Sequence, residues 1–127
     1  MTARAAACGC GQLRIACRTE PAKVSLCHCL ECQRRTGAPF GIAAFFDAGA
    51  TEVAGVSTTY QRTSDSGHPV VFHFVATCGS TVFWYPARMA KLVAVAVGCF
   101  ADRTFPAPTQ AVYDHHRHAW VAPLPSA

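Results

Sequence analysis

Apolar residues recur along most of this chain with a period of two. Leu13, Ile15 and Cys17 alternate with Gln12, Arg14 and Ala16, and Val24 and Leu26 alternate with Ser25 and Cys27. Val70, Phe72 and Phe74 alternate with Val71, His73 and Val75. Successive side chains of a strand point to opposite faces, so each pattern predicts a strand. Thr81-Val82-Phe83-Trp84-Tyr85 and the stretch from Leu92 to Val97 are apolar runs of strand length, rich in β-branched and aromatic residues. Turn residues separate these segments: Gly9 and Gly11, Gly37 to Pro39, Ser66-Gly67-His68-Pro69, Cys78-Gly79 and Pro86. The pattern predicts an all-β domain of many short strands, with at most one or two helical turns, around Glu31 to Arg35. No internal repeat of solenoid or propeller length is present. The tail carries Pro106, Pro108, Pro123 and Pro125, which predicts an irregular wrap over 106–127 with a loose end.

Composition narrows the class. A chain of 127 residues with 51% hydrophobic and 14% charged residues fits one compact domain over 1–127 and argues against disorder. The net charge of +4 is mild, and apart from Arg34-Arg35 the basic residues are scattered. Without a basic stripe interleaved with aromatics, nucleic-acid binding is not expected. A mild positive field suits a small anionic substrate. No stretch approaches the roughly 18 apolar residues of a membrane span, so no membrane partner is expected. The first residues, Met1 to Ala7, hold no apolar core of signal-peptide length, which makes a reducing cytoplasm the expected location.

In that setting the eight cysteines read as metal ligands or reactive groups rather than disulfides. Cys27-His28-Cys29-Leu30-Glu31-Cys32 is a C-x-C-x-x-C. On a strand Cys27 and Cys29 point the same way, and a tight turn brings Cys32 back to the same point. Three thiols suit a soft-ligand metal, zinc first, and a three-ligand site leaves a position for water or substrate. Cys8-Gly9-Cys10-Gly11 is a second C-x-C, and Cys78-Gly79 a single thiol just after a strand. Cys17 and Cys99 continue apolar strand patterns and are expected in the core. His28 lies between two ligands, so alternation turns it away from the metal. His115, His116 and His118 are expected in solvent, His68 in a turn, and Trp84 and Trp120 as core or lid aromatics.

Three segments together resemble the glutathione-dependent formaldehyde-activating enzyme family, which includes centromere protein V-like proteins. Cys8-Gly9-Cys10-Gly11-Gln12-Leu13-Arg14 resembles its opening motif, and Cys27 through Phe40 its central signature. Phe72 through Ser80 resembles its third motif. The likeness runs from about Cys8 to Trp84 and weakens toward Trp120, within a motif core of about 8–105. The resemblance implies a mainly β, β-tent fold of several small twisted antiparallel sheets around zinc sites. It implies a structural zinc on Cys8, Cys10 and Cys78, and a catalytic zinc on Cys27, Cys29 and Cys32. It also implies a carbon–sulfur lyase that joins formaldehyde and glutathione as S-hydroxymethylglutathione.

One position departs from the family pattern. The third motif there reads Phe-Cys-x-x-Cys-Gly, whereas this chain has Phe74-Val75-Ala76-Thr77-Cys78-Gly79. Valine cannot bind metal, so the fourth structural ligand is missing and one or two zincs per chain are expected. His73 is displaced by about 6.5 Å along the strand, too far for a simple swap. The expected result is a weakened or lost structural site, with packing around Val75 taking over part of its role. Arg34 and Arg35 follow the third thiol directly and suit bidentate binding of a glutathione carboxylate; the competing reading is a solvated turn charge.

Three functional readings follow. The first is a zinc lyase acting on a glutathione or related thiol adduct. Three thiolates give the zinc site a net negative charge, which favours positioning and thiolate stabilisation over Lewis acidity. The second is a non-catalytic zinc-binding module for a protein partner, to which the drifted structural site points. The third, a redox thiol protein, ranks last, because metal-bound thiolates are partly protected from oxidation.

Overall fold

The computed structural model describes residues 3–124. Strands β1 (Arg4–Ala7), β2 (Arg14–Cys17) and β3 (Lys23–Cys27) precede one short helix, α1 (Leu30–Thr36). Then come β4 (Gly41–Asp47), β5 (Thr51–Ala54), β6 (Thr58–Thr63), β7 (Pro69–Phe74), β8 (Thr81–Pro86), β9 (Leu92–Ala96) and β10 (Gln110–Val112). The strands form a three-stranded sheet ordered β1-β2-β5 and a seven-stranded sheet ordered β10-β3-β4-β9-β8-β7-β6. The fold is mainly β, as the period-two patterns predict. All pairings are antiparallel except that of β10, which runs parallel to β3.

The main core lies between the two sheets. Ala6, Leu13, Ile15 and Cys17 of the small-sheet side pack with Ala44, Phe46, Val82, Phe83, Val93 and Val95 of the large one. Phe46 and Phe83 are its largest fully buried side chains. Truncating Phe46 to alanine would cost about 3–5 kcal/mol, through lost transfer energy and the cavity left behind. A second, smaller cluster of Ala43, Val70, Phe72, Trp84 and Ala94 forms around the neighbouring pairs Phe72–Trp84 and Trp84–Ala94. The guanidinium of Arg35, from α1, lies 4.3 Å over the Trp84 ring.

Several expectations change in detail. Cys17 is buried as expected, but Cys99 sits on a 3-10 turn, Val97–Phe100, rather than on a strand. It still packs against the main core and its thiol faces Thr81 O at 3.6 Å. The tail is not wholly irregular, because β10 joins the large sheet and a further turn follows at Asp114–His116. The last part of the tail, residues 125–127, where the loose end is expected, lies outside the described residues, as do residues 1 and 2. Trp84 is buried, whereas Trp120 is 73% exposed and is not part of the core.

Candidate metal centre

Cys27 ends β3, and Cys29 caps α1 with an extended backbone while its Sγ accepts the Cys32 N–H at 3.3 Å. The return of Cys32 is therefore made by the first turn of a helix. Gly37 ends that helix with φ +68, a conformation that suits glycine, and its N–H donates to Gln33 O. The result is a group of three sulfurs, Cys27, Cys29 and Cys32, all within 4.8 Å of one another. Thiols of Cys27 and Cys32 donate toward Cys29 Sγ and hold its pKa well below the ordinary thiol range, and the nearby Arg62 charge adds to the shift. Burial and the neighbouring thiols push Cys27 the other way, with the contact to Cys29 the largest cause.

A second group joins Cys8, Cys10 and Cys78, again within 4.8 Å. Cys8 and Cys10 sulfurs are 3.6 Å apart, close to the roughly 3.8 Å edge of a tetrahedron with zinc–sulfur bonds of about 2.3 Å. The N–H of Leu13 donates to Cys8 Sγ at 3.3 Å. Gly79, at φ +79, lets the chain turn after Cys78, and the backbone N–H and hydroxyl of Ser80 pull the Cys78 pKa down to about 6. Ser80 also ties the two halves together, since Gly9 N–H donates to its Oγ at 2.9 Å.

Both donor sets fit a thiophilic ion, but they differ in completeness. Val75 is 3% exposed and packs in the same core cluster as Cys8. Its backbone closes the Cys78 turn, accepting from Gly79 N–H and donating to Ser80 O. The side chain at the position of the missing ligand is thus core, and the second group stops at three thiols among the described residues. His73 does not replace it. Its Nδ1 is 2.7 Å from Ser57 Oγ and its ring stacks on Phe83 at 4.7 Å.

The first group opens into a cavity of about 390 Å³. Besides the three thiols, its walls include Arg34, Arg62, Asp65, Tyr113 and His116. Arg34, one of the two arginines singled out from the sequence, is 73% exposed and paired with Glu31 at 2.8 Å. Arg35 turns to a neighbouring groove of about 460 Å³ that shares Glu31, Arg34 and Arg62 with the cavity. The sequence reading missed Arg62, Asp65, Tyr113 and His116, which reach the thiols only through strand pairing and the tail. His28 belongs to neither thiol group. It is buried with its ring edge-on to Phe40, and burial lowers its pKa. His115, His116 and His118 are exposed, yet His118 Nε2 lies 2.8 Å from Gln33 Oε1, so the tail is tied to α1.

Among the described residues no helix is long and apolar enough to cross a membrane. A crystal structure of a Rhodobacter sphaeroides protein, a Northeast Structural Genomics target, matches the fold with a TM-score of 0.61 at 21% identity. The match covers 85% of this chain and 99% of that one. No curated protein matches the chain. The family model of the glutathione-dependent formaldehyde-activating enzyme matches residues 3–116, which supports a glutathione-related, formaldehyde-activating role in general. With nearly the whole chain matched and both thiol groups assembled, the chain belongs to the glutathione-dependent formaldehyde-activating enzyme family.

Proposed function

We propose that the chain is a zinc-dependent carbon–sulfur lyase that joins formaldehyde to glutathione, or acts on a related thiol adduct. The observation that carries this reading is the opening of Cys27, Cys29 and Cys32 into a cavity edged by arginine. In this reading these three cysteines hold the catalytic zinc, and Cys8, Cys10 and Cys78 hold a second, structural zinc around the packed Val75. Zinc on three thiols would stabilise a substrate thiolate, the form of sulfur that attacks carbon.

In the reaction a sulfur–carbon bond forms, the carbonyl π bond breaks, and the oxygen takes the proton lost by the thiol. The protein's part is positioning. Arg34 and Arg35 receive substrate carboxylate, while Tyr113 and the tail wall limit water beside the thiols. Work with reduced thiols of this kind suits the cytoplasm.

Magnetisation-exchange NMR on formaldehyde, glutathione and their adduct at equilibrium tests the reading. Exchange faster than the uncatalysed baseline with zinc-loaded protein, abolished in Cys29→Ser, is the expected result. Exchange at the baseline rate would remove the lyase reading.

A further inference from the structure

Arg62 sits on β6, where the sequence shows only a polar strand, Thr58-Thr59-Tyr60-Gln61-Arg62-Thr63. Its side chain is nevertheless only 21% exposed, unlike that of Arg34. The guanidinium lies 5.4 Å over the Phe72 ring, so packing fixes its stem and plane. Its nearest carboxylate oxygen, Glu31 Oε2, is 3.9 Å from Nε, too far for a hydrogen bond. Glu31 is instead engaged by Arg34 at 2.8 Å. Among the described residues Arg62 makes no side-chain hydrogen bond, and its forked donors are oriented but unmatched.

The position of Arg62 matters as much as its free donors. It lines both the thiol cavity and the neighbouring groove, and so stands where the two meet. The groove side adds Arg35, whose guanidinium is held over Trp84, and an apolar floor that includes Phe72 and Phe74. Three guanidiniums, Arg34, Arg35 and Arg62, line the groove with the one carboxylate of Glu31, and on the cavity side Asp65 accepts from Tyr113. A ligand with a thiol at one end and a carboxylate further along would fit both spaces at once.

We propose that Arg62 is a substrate-binding residue that takes a carboxylate of the thiol substrate, which lies across the junction with its sulfur toward Cys27, Cys29 and Cys32. The inference rests on the thiol-substrate reading given above and assigns its specificity for an anionic thiol to β6. Arginine serves this purpose because its planar fork matches a carboxylate with two parallel hydrogen bonds.

Titration calorimetry on the zinc-loaded full chain provides the test, with glutathione and its diethyl ester as the two probes. The ester keeps the thiol, the peptide and the ammonium and lacks both carboxylate charges. The wild-type chain should bind glutathione more tightly than the ester. Arg62→Gln should weaken glutathione about tenfold and leave the ester unchanged. Arg62→Lys keeps charge and stem but loses the fork, and should fall between; it carries the test if Arg62→Gln does not fold. Equal weakening of both probes would mean a structural role and overturn the inference. Unchanged glutathione affinity, or no binding by the wild type, would overturn it too. The exchange experiment separates this from the lyase reading. Arg62-dependent binding without faster exchange would sink only the lyase chemistry, and faster exchange with glutathione affinity unchanged in Arg62→Gln would sink only the anchor.

Discussion

The phenol of Tyr113 donates a 2.8 Å hydrogen bond to Asp65 Oδ2, closing the thiol cavity with two residues 48 positions apart. Asp65 lies in the turn between β6 and β7, and Tyr113 directly follows β10. The contact therefore joins the tail to the far edge of the large sheet. Tyr113→Phe should cost about 1 kcal/mol in urea denaturation, the worth of an ordinary hydrogen bond, because solvent at this exposed site offsets the added strength of a charged acceptor. It should also raise the KM for glutathione more than it lowers kcat, because a wall moves while the thiols stay in place. A drop in kcat alone would show that the phenol acts on the reaction itself.

In the two-zinc reading proposed above, Val75 sets how firmly the second group would hold its ion. Val75→Cys would restore four thiols around the Cys8 group, and a closed tetrahedral site holds zinc more tightly than an open one. The variant should keep two zincs per chain through a chelator challenge that strips one from the wild type. Competition with a chromogenic chelator should show at least about tenfold slower release from the repaired site. Two equally slow zincs in the wild type would mean that Val75 packing already suffices. Val75→Ala should cost about 2 kcal/mol by opening the core beside Cys8.

Arg35 combines the packing seen over Trp84 with the substrate role proposed above, and a stability measurement can separate the two. Its guanidinium packs on Trp84, so Arg35→Ala should lose about 1–2 kcal/mol of stability through cation–π and stem packing. Trp84 fluorescence should shift to the red as water reaches the ring, and Arg35→Lys should recover part of the loss. Unchanged stability together with weaker glutathione binding would assign Arg35 to substrate alone.

His73 should make stability depend on pH. Burial lowers its pKa from the ordinary 6.5. Below that value the unfolded chain binds the proton more readily than the folded one, so stability rises with pH in this window. The contribution is present above the unfolded pKa and is lost as the pH falls through the lower folded pKa. Denaturation midpoints between pH 7.5 and 5 should therefore drop more steeply for the wild type than for His73→Gln. Parallel profiles would show that Ser57 and Phe83 accommodate the charged ring.

The legible parts of this chain are those whose signal is local. β2, β3, β7, β8 and β9 carry alternation or β-branched apolar runs, and α1 lies where the thiol spacing demands a return. β1 is mostly alanine and β4 is buried on both faces, so neither alternates. β6 is a polar edge strand with no apolar face of its own, and β10 has only three residues. The same division runs through the site. The first thiol group was legible because its three cysteines stand at close, regular spacing, whereas Cys78 joined Cys8 and Cys10 only through the family resemblance. Arg62 carries no local signal, since only the pairing of β6 with β7 sets it over Phe72. Tyr113 reaches the cavity only because β10 runs beside β3.

That parallel pairing has a consequence for the order of assembly. The bond from Gln110 Nε2 to Ser25 Oγ spans 85 positions, whereas the three sulfurs of the first group come from six consecutive residues. Bringing distant segments together is slow, because chain entropy must be lost before the contacts form. The nascent chain can therefore bring Cys27, Cys29 and Cys32 together, ready for an ion, well before the tail arrives. In the zinc-lyase reading proposed above, loading is then a local event, and selection among thiols begins only once the C-terminal segment has docked.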